Sequence, residues 1–166
     1  MANIKSPICK AYWTHNCFES DKKYPDRSGQ GVFSITGNFT QENRDELEKL
    51  ILSEIGESHV GTYHFKSDGT GNTDVKFKCK ESVTGRNGVK VIQRPPVVFE
   101  GKVYEEAFEH ADCHVLFTPK YFPAYKKCSL ILRGVEIVKL ADATEQSAEE
   151  HDIAILKELG AMNGDT

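Results

Sequence analysis

Hydrophobic and polar residues alternate strictly over residues 74–80. Val75, Phe77 and Cys79 occupy every second position, and three lysines stand next to them, Lys76, Lys78 and Lys80. Because successive side chains of a strand point to opposite faces, the pattern predicts a strand with an apolar inner face and three ammonium groups outside. Such a surface is typical of a protein that meets an extended anion, or of an edge strand kept soluble by its lysines.

A helical period follows Thr40. Threonine is a favourable N-cap residue, and Gly56 supplies a C-terminal stop. The apolar positions between them are spaced for one face of a helix, at Leu47, Leu50, Ile51 and Ile55. The pattern therefore predicts one amphipathic helix that packs on an apolar surface.

The remaining apolar runs are short and separated by turn residues. They predict further strands over 8–13, 31–39, 60–66, 89–93, 97–99, 113–118 and 129–140, with a long loop over 19–29. The glycine-rich segments 67–72 and 84–88 are typical of hairpin turns. Five or six strands with one capping helix indicate a mainly β fold, a small closed barrel of the oligonucleotide-binding (OB) type in preference to a sandwich.

Charge divides the chain into two parts. Residues 141–166 contain seven acidic residues and one lysine, a net charge of −6, which leaves +2 for residues 1–140 of a chain with total charge −4. We therefore expect a barrel domain over 1–141 and an acidic, partly helical tail over 142–166, where 147–150 has the form of a capping box. The tail would compete with an anionic ligand or contact partner proteins, unless it is an ordinary solvated helix.

Composition limits the location and the chemistry. No run of about 18 apolar residues and no signal-like N-terminus is present, so we expect a cytoplasmic protein without a membrane partner. Five cysteines form no C-x-x-C pair, which predicts reduced thiols. His110 and His114 could share a metal only on a helix, and a strand starting near Cys113 would separate them. No nucleophile motif is present, so we expect no enzyme, no metal and no cofactor.

Aromatic residues accompany the positive charge. Tyr121, Phe122 and Tyr125 lie among lysines and prolines in a segment expected to be a turn, while Tyr12 and Trp13 lie on the first predicted strand. Since Tyr12 and Trp13 are neighbours on a strand, one of them is expected in the core. Aromatic faces beside lysines suit a single-stranded nucleic acid, whose bases stack and whose phosphates pair. The candidate contacts are Lys76, Lys78, Lys80, Arg86, Arg94, Tyr12, Trp13, Tyr121 and Phe122.

At this point the sequence resembles a known family. The segments are GTGNTDVKFKC at 69–79, GVFSI at 31–35 before the helix, RPPVVFEGK at 94–102 and VEIVKLA at 135–141. Together they are similar to the single-stranded DNA-binding proteins of tailed bacteriophages. Within the resemblance, Lys76 and Lys78 match the basic strand of the family, and Tyr121 matches an aromatic residue that follows a proline.

The resemblance implies an OB-fold barrel capped by a helix. It also implies sequence-tolerant binding of single-stranded DNA in phage DNA replication or recombination, in the host cytoplasm, with an acidic tail that contacts the enzymes involved. A monomer and a homo-oligomer both remain open. The alternative is a non-enzymatic protein-interaction module that has the same barrel, binds no nucleic acid and uses its lysines for solubility.

Overall fold

The computed structural model describes residues 3–20 and 31–141 of the 166-residue chain. The acidic tail and most of the predicted long loop lie outside these ranges. The strands are β1 (Ile4–Lys5), β2 (Cys9–Tyr12), β3 (Val32–Phe39), β4 (Phe65–Ser67), β5 (Thr73–Lys80), β6 (Ser82–Thr84), β7 (Lys90–Ile92), β8 (Val97–Phe99), β9 (Lys102–Val103), β10 (Asp112–Phe122) and β11 (Lys127–Lys139). The helix α1 spans Gln41–Ile55, and short 3-10 turns occupy Thr14–Cys17 and Glu57–His59.

Five of these strands close a barrel. β2 pairs antiparallel with β3, β3 with β5, β10 with β11, and β10 again with β2, while β5 and β11 run parallel. The ring order along the chain is therefore first, second, third, fifth, fourth. This closed small barrel with a single helix confirms the predicted mainly β, OB-like fold.

The interior of the barrel is filled by the alternating apolar side chains. On β5, Val75 and Phe77 are fully buried and Cys79 nearly so, whereas the lysines between them are exposed. Phe77 contacts two further buried rings, Phe39 and Phe117, with centroid separations of 6.3 and 5.1 Å. The period-two pattern of this strand therefore identified both its buried and its exposed faces correctly.

Helix α1 closes the barrel at the end where β3 finishes and β5 begins. Its cap is as predicted, since the side chain of Thr40 accepts a hydrogen bond from the backbone N–H of Asn43 at 3.3 Å. Leu47 and Ile51 are fully buried against the barrel. Among the described residues, no helix is long and apolar enough to cross a membrane.

Two strand boundaries differ from the prediction. β4 begins at Phe65 rather than at residue 60, because Gly61 has a φ of 82° and Val60 is 58% exposed. β10 continues through Pro119 to Phe122, where a turn was expected. A proline has no N–H to donate, and beyond Phe117 the described strands pair with β10 only on its β11 side, so the proline is tolerated at an edge.

Candidate nucleic-acid interface

The basic strand β5 lies between β3 and β11 in the barrel, and β4 pairs with its first residues. Lys76 lies opposite Thr36 of β3, and Lys78 lies opposite Ser34. Lys80 completes the row of exposed lysines at the end of the strand. β3 and β5 are the second and third strands of the barrel, and in OB folds the surface of these two strands binds oligonucleotides. The three predicted lysines therefore lie together on the part of the fold best suited to a single strand.

Two aromatic rings extend this surface across β2. Tyr12 lies opposite Thr36, so Tyr12, Thr36 and Lys76 form one row over three strands. Trp13 follows the strand and is 60% exposed. The expectation that either Tyr12 or Trp13 belongs to the core was wrong, because β2 ends at Tyr12 and Trp13 turns away with a φ of 59°.

A carboxylate that is distant in the sequence holds the left-handed backbone conformation of Trp13. Glu109 accepts hydrogen bonds from the backbone N–H groups of Trp13, at 3.2 Å, and of Thr14. A left-handed conformation is costly for a bulky residue, and the two bonds to one carboxylate help to hold it. Glu109 therefore has a structural function, because it holds the conformation of Trp13.

An open depression lies beside the two rings, with a volume of about 260 Å³. Tyr12, Trp13, Thr36, Asn38, Asp68 and Asp74 line it. The Nδ2 atom of Asn38 donates to Asp68 Oδ2 and to Asp74 Oδ1, each at 2.8 Å. Hydrogen bonds, first from the Thr70 hydroxyl and backbone and then from Asn38, lower the pKa of Asp68. No local sequence pattern indicates this group, because its three residues come together only through the register of β3, β4 and β5.

The aromatic segment near the end of β10 is divided between packing and exposure. Tyr121 is half-buried and stacks on His59 with a centroid separation of 3.7 Å and an interplanar angle of 18°. The Nζ atom of Lys120 lies 5.1 Å from the centre of the Phe122 ring. Tyr125 is in the turn between β10 and β11 and is 57% exposed. The segment is therefore a strand end followed by a short turn, and Tyr121 already has a ring partner.

The two predicted arginines occupy different environments. Arg86 is exposed at the turn between β6 and β7, which form a separate two-stranded sheet. Arg94 pairs with Glu105 at 3.2 Å, and its guanidinium lies 5.1 Å from the centre of the Phe18 ring. Since Arg94 has both an anionic and an aromatic partner within the chain, Arg86 is the freer of the two to meet a ligand. The role of each in binding stays a prediction.

His114 and the five cysteines belong to the scaffold. β10 begins at Asp112, which places His114 on a strand, and its Nδ1 lies 2.7 Å from the carbonyl oxygen of Ser6. Within the described ranges, no three His, Cys, Asp or Glu side chains are grouped to hold a metal ion. All five cysteines are free and buried. Burial raises the pKa of Cys79 and that of Cys128 to about 11, so these thiols stay protonated at neutral pH.

Comparison with known proteins finds similar proteins by structure alone. No protein-family model and no curated protein sequence matches the chain. Among solved structures, it is similar to gp2.5, a single-stranded DNA-binding protein encoded by bacteriophage T7, with a TM-score of 0.51 and 19% identity over 90% of this chain and 97% of that one.

A second group of similar structures comes from bacteriophage Enc34. Its single-stranded DNA-binding protein in complex with single-stranded DNA gives a TM-score of 0.58 at 15% identity, over 84% of this chain and 88% of that one. A C-terminal truncation of the same protein gives 0.59 at 14% identity, over 84% and 87%. The chain therefore has the fold of these phage single-stranded DNA-binding proteins, which confirms at the level of fold the resemblance found in its sequence.

Proposed function

We propose that this protein binds single-stranded DNA without strong sequence preference and has no catalytic activity. One observation carries the proposal, namely that the outer surface of β2, β3 and β5 combines a row of three exposed lysines with the exposed ring of Trp13. Ammonium groups suit phosphates, and an exposed ring suits any base, because every base has a π-face. The similar proteins of T7 and Enc34 are single-stranded DNA-binding proteins, which supports the same ligand here.

The biological setting is proposed from the family resemblance in the sequence. A protein of this kind would coat and protect single strands during phage DNA replication or recombination in the host cytoplasm. Its acidic tail, residues 142–166, would contact the replication or recombination enzymes. The identity of these partners and the role of the tail in contacting them are proposals that rest on the sequence.

The test is the salt dependence of binding to labelled oligo(dT), measured by fluorescence anisotropy. Replacing Lys76 and Lys78 by alanine should weaken binding and flatten the slope of log K against log[salt] by roughly 0.7 for each lost phosphate contact. The matched control replaces Lys49 and Lys102, which are exposed on α1 and β9. This control removes the same charge away from the proposed surface and should leave more of the slope intact.

The result also separates the two functions considered. If the unmodified protein fails to bind oligo(dT) at low salt, the proposal is wrong and the protein-interaction module is favoured. If the protein binds but both double variants change the slope equally, the interface lies elsewhere on the barrel. A duplex and an RNA of the same length, added as competitors, would measure the preference for single-stranded DNA.

A further inference from the structure

The depression beside Tyr12 and Trp13 has a rigid polar floor. Asn38 uses both hydrogens of its amide, one toward Asp68 and one toward Asp74. Its Oδ1 atom in turn accepts a hydrogen bond from Asn72 Nδ2 at 3.0 Å. Because the amide is engaged at both ends, its orientation is fixed and it holds two carboxylates on either side of one nitrogen. A preorganised group of this kind pays little ordering cost when a ligand binds.

The two carboxylates of the floor, when ionised, can only accept hydrogen bonds. The Oδ2 atom of Asp74 has no hydrogen-bond partner among residues 3–20 and 31–141. The lone pairs that are free on the two carboxylates can therefore accept hydrogen bonds from N–H groups of a ligand. Two neighbouring negative charges also repel phosphate, so a DNA strand crossing here would present a base and leave its phosphates near the lysines.

The position of the depression agrees with a strand that places a base here and its phosphates near the lysines. Asp74 lies opposite Asn38, and this pair is two residues along its strands from the row of Tyr12, Thr36 and Lys76. Lys76 is two positions after Asp74 on β5, which is roughly 6–7 Å along the strand. The volume of the depression, about 260 Å³, lies just below the roughly 300–1,000 Å³ of sites for drug-sized ligands, so it can take a single base.

The four bases differ in what they offer a carboxylate. Guanine carries adjacent donors, N1–H and the N2 amino group, on one edge. Cytosine and adenine place an acceptor nitrogen beside their amino group, and thymine has one N–H between two carbonyl oxygens. Ionised carboxylates accept and never donate, so the edge with adjacent donors is the best match.

We infer that this depression is a base-recognition site that prefers guanine, with the base edge on Asp74 and Asp68 and the base face against Trp13 or Tyr12. The inference rests on the proposed function, since it concerns one base of a bound strand. The preference is confined to this site and is added to otherwise sequence-tolerant binding.

The experiment compares oligonucleotides that differ in one amino group. Oligo(dT) with isolated guanines is compared with the same strand containing hypoxanthine, which lacks the N2 amino group, and with plain oligo(dT). Lithium salts prevent guanine quadruplexes, and EDTA removes divalent cations that could bind the carboxylates. The protein should bind the guanine strand at least about five-fold more tightly than the hypoxanthine strand.

Two variants that each remove one negative charge test whether Asp74 causes the guanine preference. Asp74→Asn keeps an oxygen that can accept from Asn38 but removes the charge, and it should reduce the guanine preference to less than about two-fold. Glu54→Gln removes one charge from an exposed position at the end of α1 and should leave the preference unchanged. The melting temperature of each variant shows whether it is folded, and the guanine–hypoxanthine comparison on the unmodified protein needs no variant.

The outcomes separate this inference from the function beneath it. Equal binding of the guanine and hypoxanthine strands, with oligo(dT) still bound, would overturn the inference and leave the proposed function intact. A preference that survives in folded Asp74→Asn would also overturn it. If no strand binds at low salt, the proposed function fails and the inference fails with it.

Discussion

At the scale of single residues, Trp13 is the side chain whose exposure says most about binding. Its ring is 60% exposed and contributes little to the core, so Trp13→Ala should leave the melting temperature nearly unchanged. If the ring stacks on a base, the same change should cost about 1–3 kcal/mol of binding to oligo(dT) while leaving the salt slope intact. Titrations at several salt concentrations measure both quantities.

Tyr121→Ala is the informative comparison for Trp13→Ala. Tyr121 packs against the hydrophobic core and stacks on His59, so its loss should lower the melting temperature. Unchanged affinity in Trp13→Ala would mean that the exposed ring does not stack on a base. A stable Tyr121→Ala protein with weakened binding would instead assign the stacking to the end of β10.

The buried thiols predict a loss of stability in alkali. Burial raises the pKa of Cys79 and that of Cys128 to about 11, against 9.0 for an exposed thiol. Between these values the unfolded chain releases protons that the folded chain keeps. The contribution of these two protonated thiols to the free energy of unfolding is therefore complete below pH 9 and disappears as the pH rises toward 11.

Urea unfolding at pH 8, 9.5 and 10.5 measures this effect. Replacing Cys79 and Cys128 by alanine should make the decline with pH shallower, although the variant starts from a lower stability because it loses packing. A decline of the same steepness in the variant would show that other groups titrate in this range. Tyr63 is one such group, because burial and a hydrogen bond to Glu48 raise its pKa as well.

Trp13 also shows what sequence cannot reveal about a single residue. Alternation along β2 placed either Tyr12 or Trp13 in the core. The conformation that exposes Trp13 depends on Glu109, which is 96 residues away in the chain. A pattern read within one segment contains no information about that contact, whereas the exposed lysines of β5 depend only on their own strand.

At the scale of elements, β3 contains a position that must stay small. A Cβ atom on Gly37 would lie 2.8 Å from Cys9 Sγ and 2.9 Å from Phe39 Cε1. Gly37→Ala should therefore overpack the barrel and destabilise it by about 1–3 kcal/mol. Urea unfolding checks this, with Ser53→Ala on the exposed part of α1 as a variant that should be nearly neutral. An unchanged midpoint for Gly37→Ala would mean that Cys9 and Phe39 can move aside.

Elements were predictable where local chemistry decides their limits. The ends of α1 follow from the cap at Thr40 and the stop at Gly56, and the sequence placed both. β10 was cut short in the prediction because Pro119 is a strong turn signal. Within residues 3–20 and 31–141 no strand pairs with that edge, and this tertiary fact makes the proline harmless there.

At the scale of the whole molecule, the tail and the rest of the chain carry opposite net charges. Residues 141–166 carry −6 and the rest of the chain +2. Deleting residues 142–166 should tighten binding to single-stranded DNA most at low salt, because salt screens the competition between the tail and DNA. The deletion should also abolish capture of replication or recombination enzymes. Equal affinity at low salt, with the same partners captured, would show that the tail is an ordinary surface segment.

The sheet of β6 and β7 has a consequence for the dynamics of the surface. The N–H of Glu81, just before β6, donates to the carbonyl oxygen of Gly31, and the N–H of Gln93, just after β7, donates to that of Glu81. Val83, Val89 and Val91 are each about half exposed. Isolated two-stranded sheets are marginal in water. Their amide hydrogens should therefore exchange with deuterium through local opening, well before the barrel unfolds, and slowed exchange on adding oligonucleotide would show that a bound strand reaches Arg86.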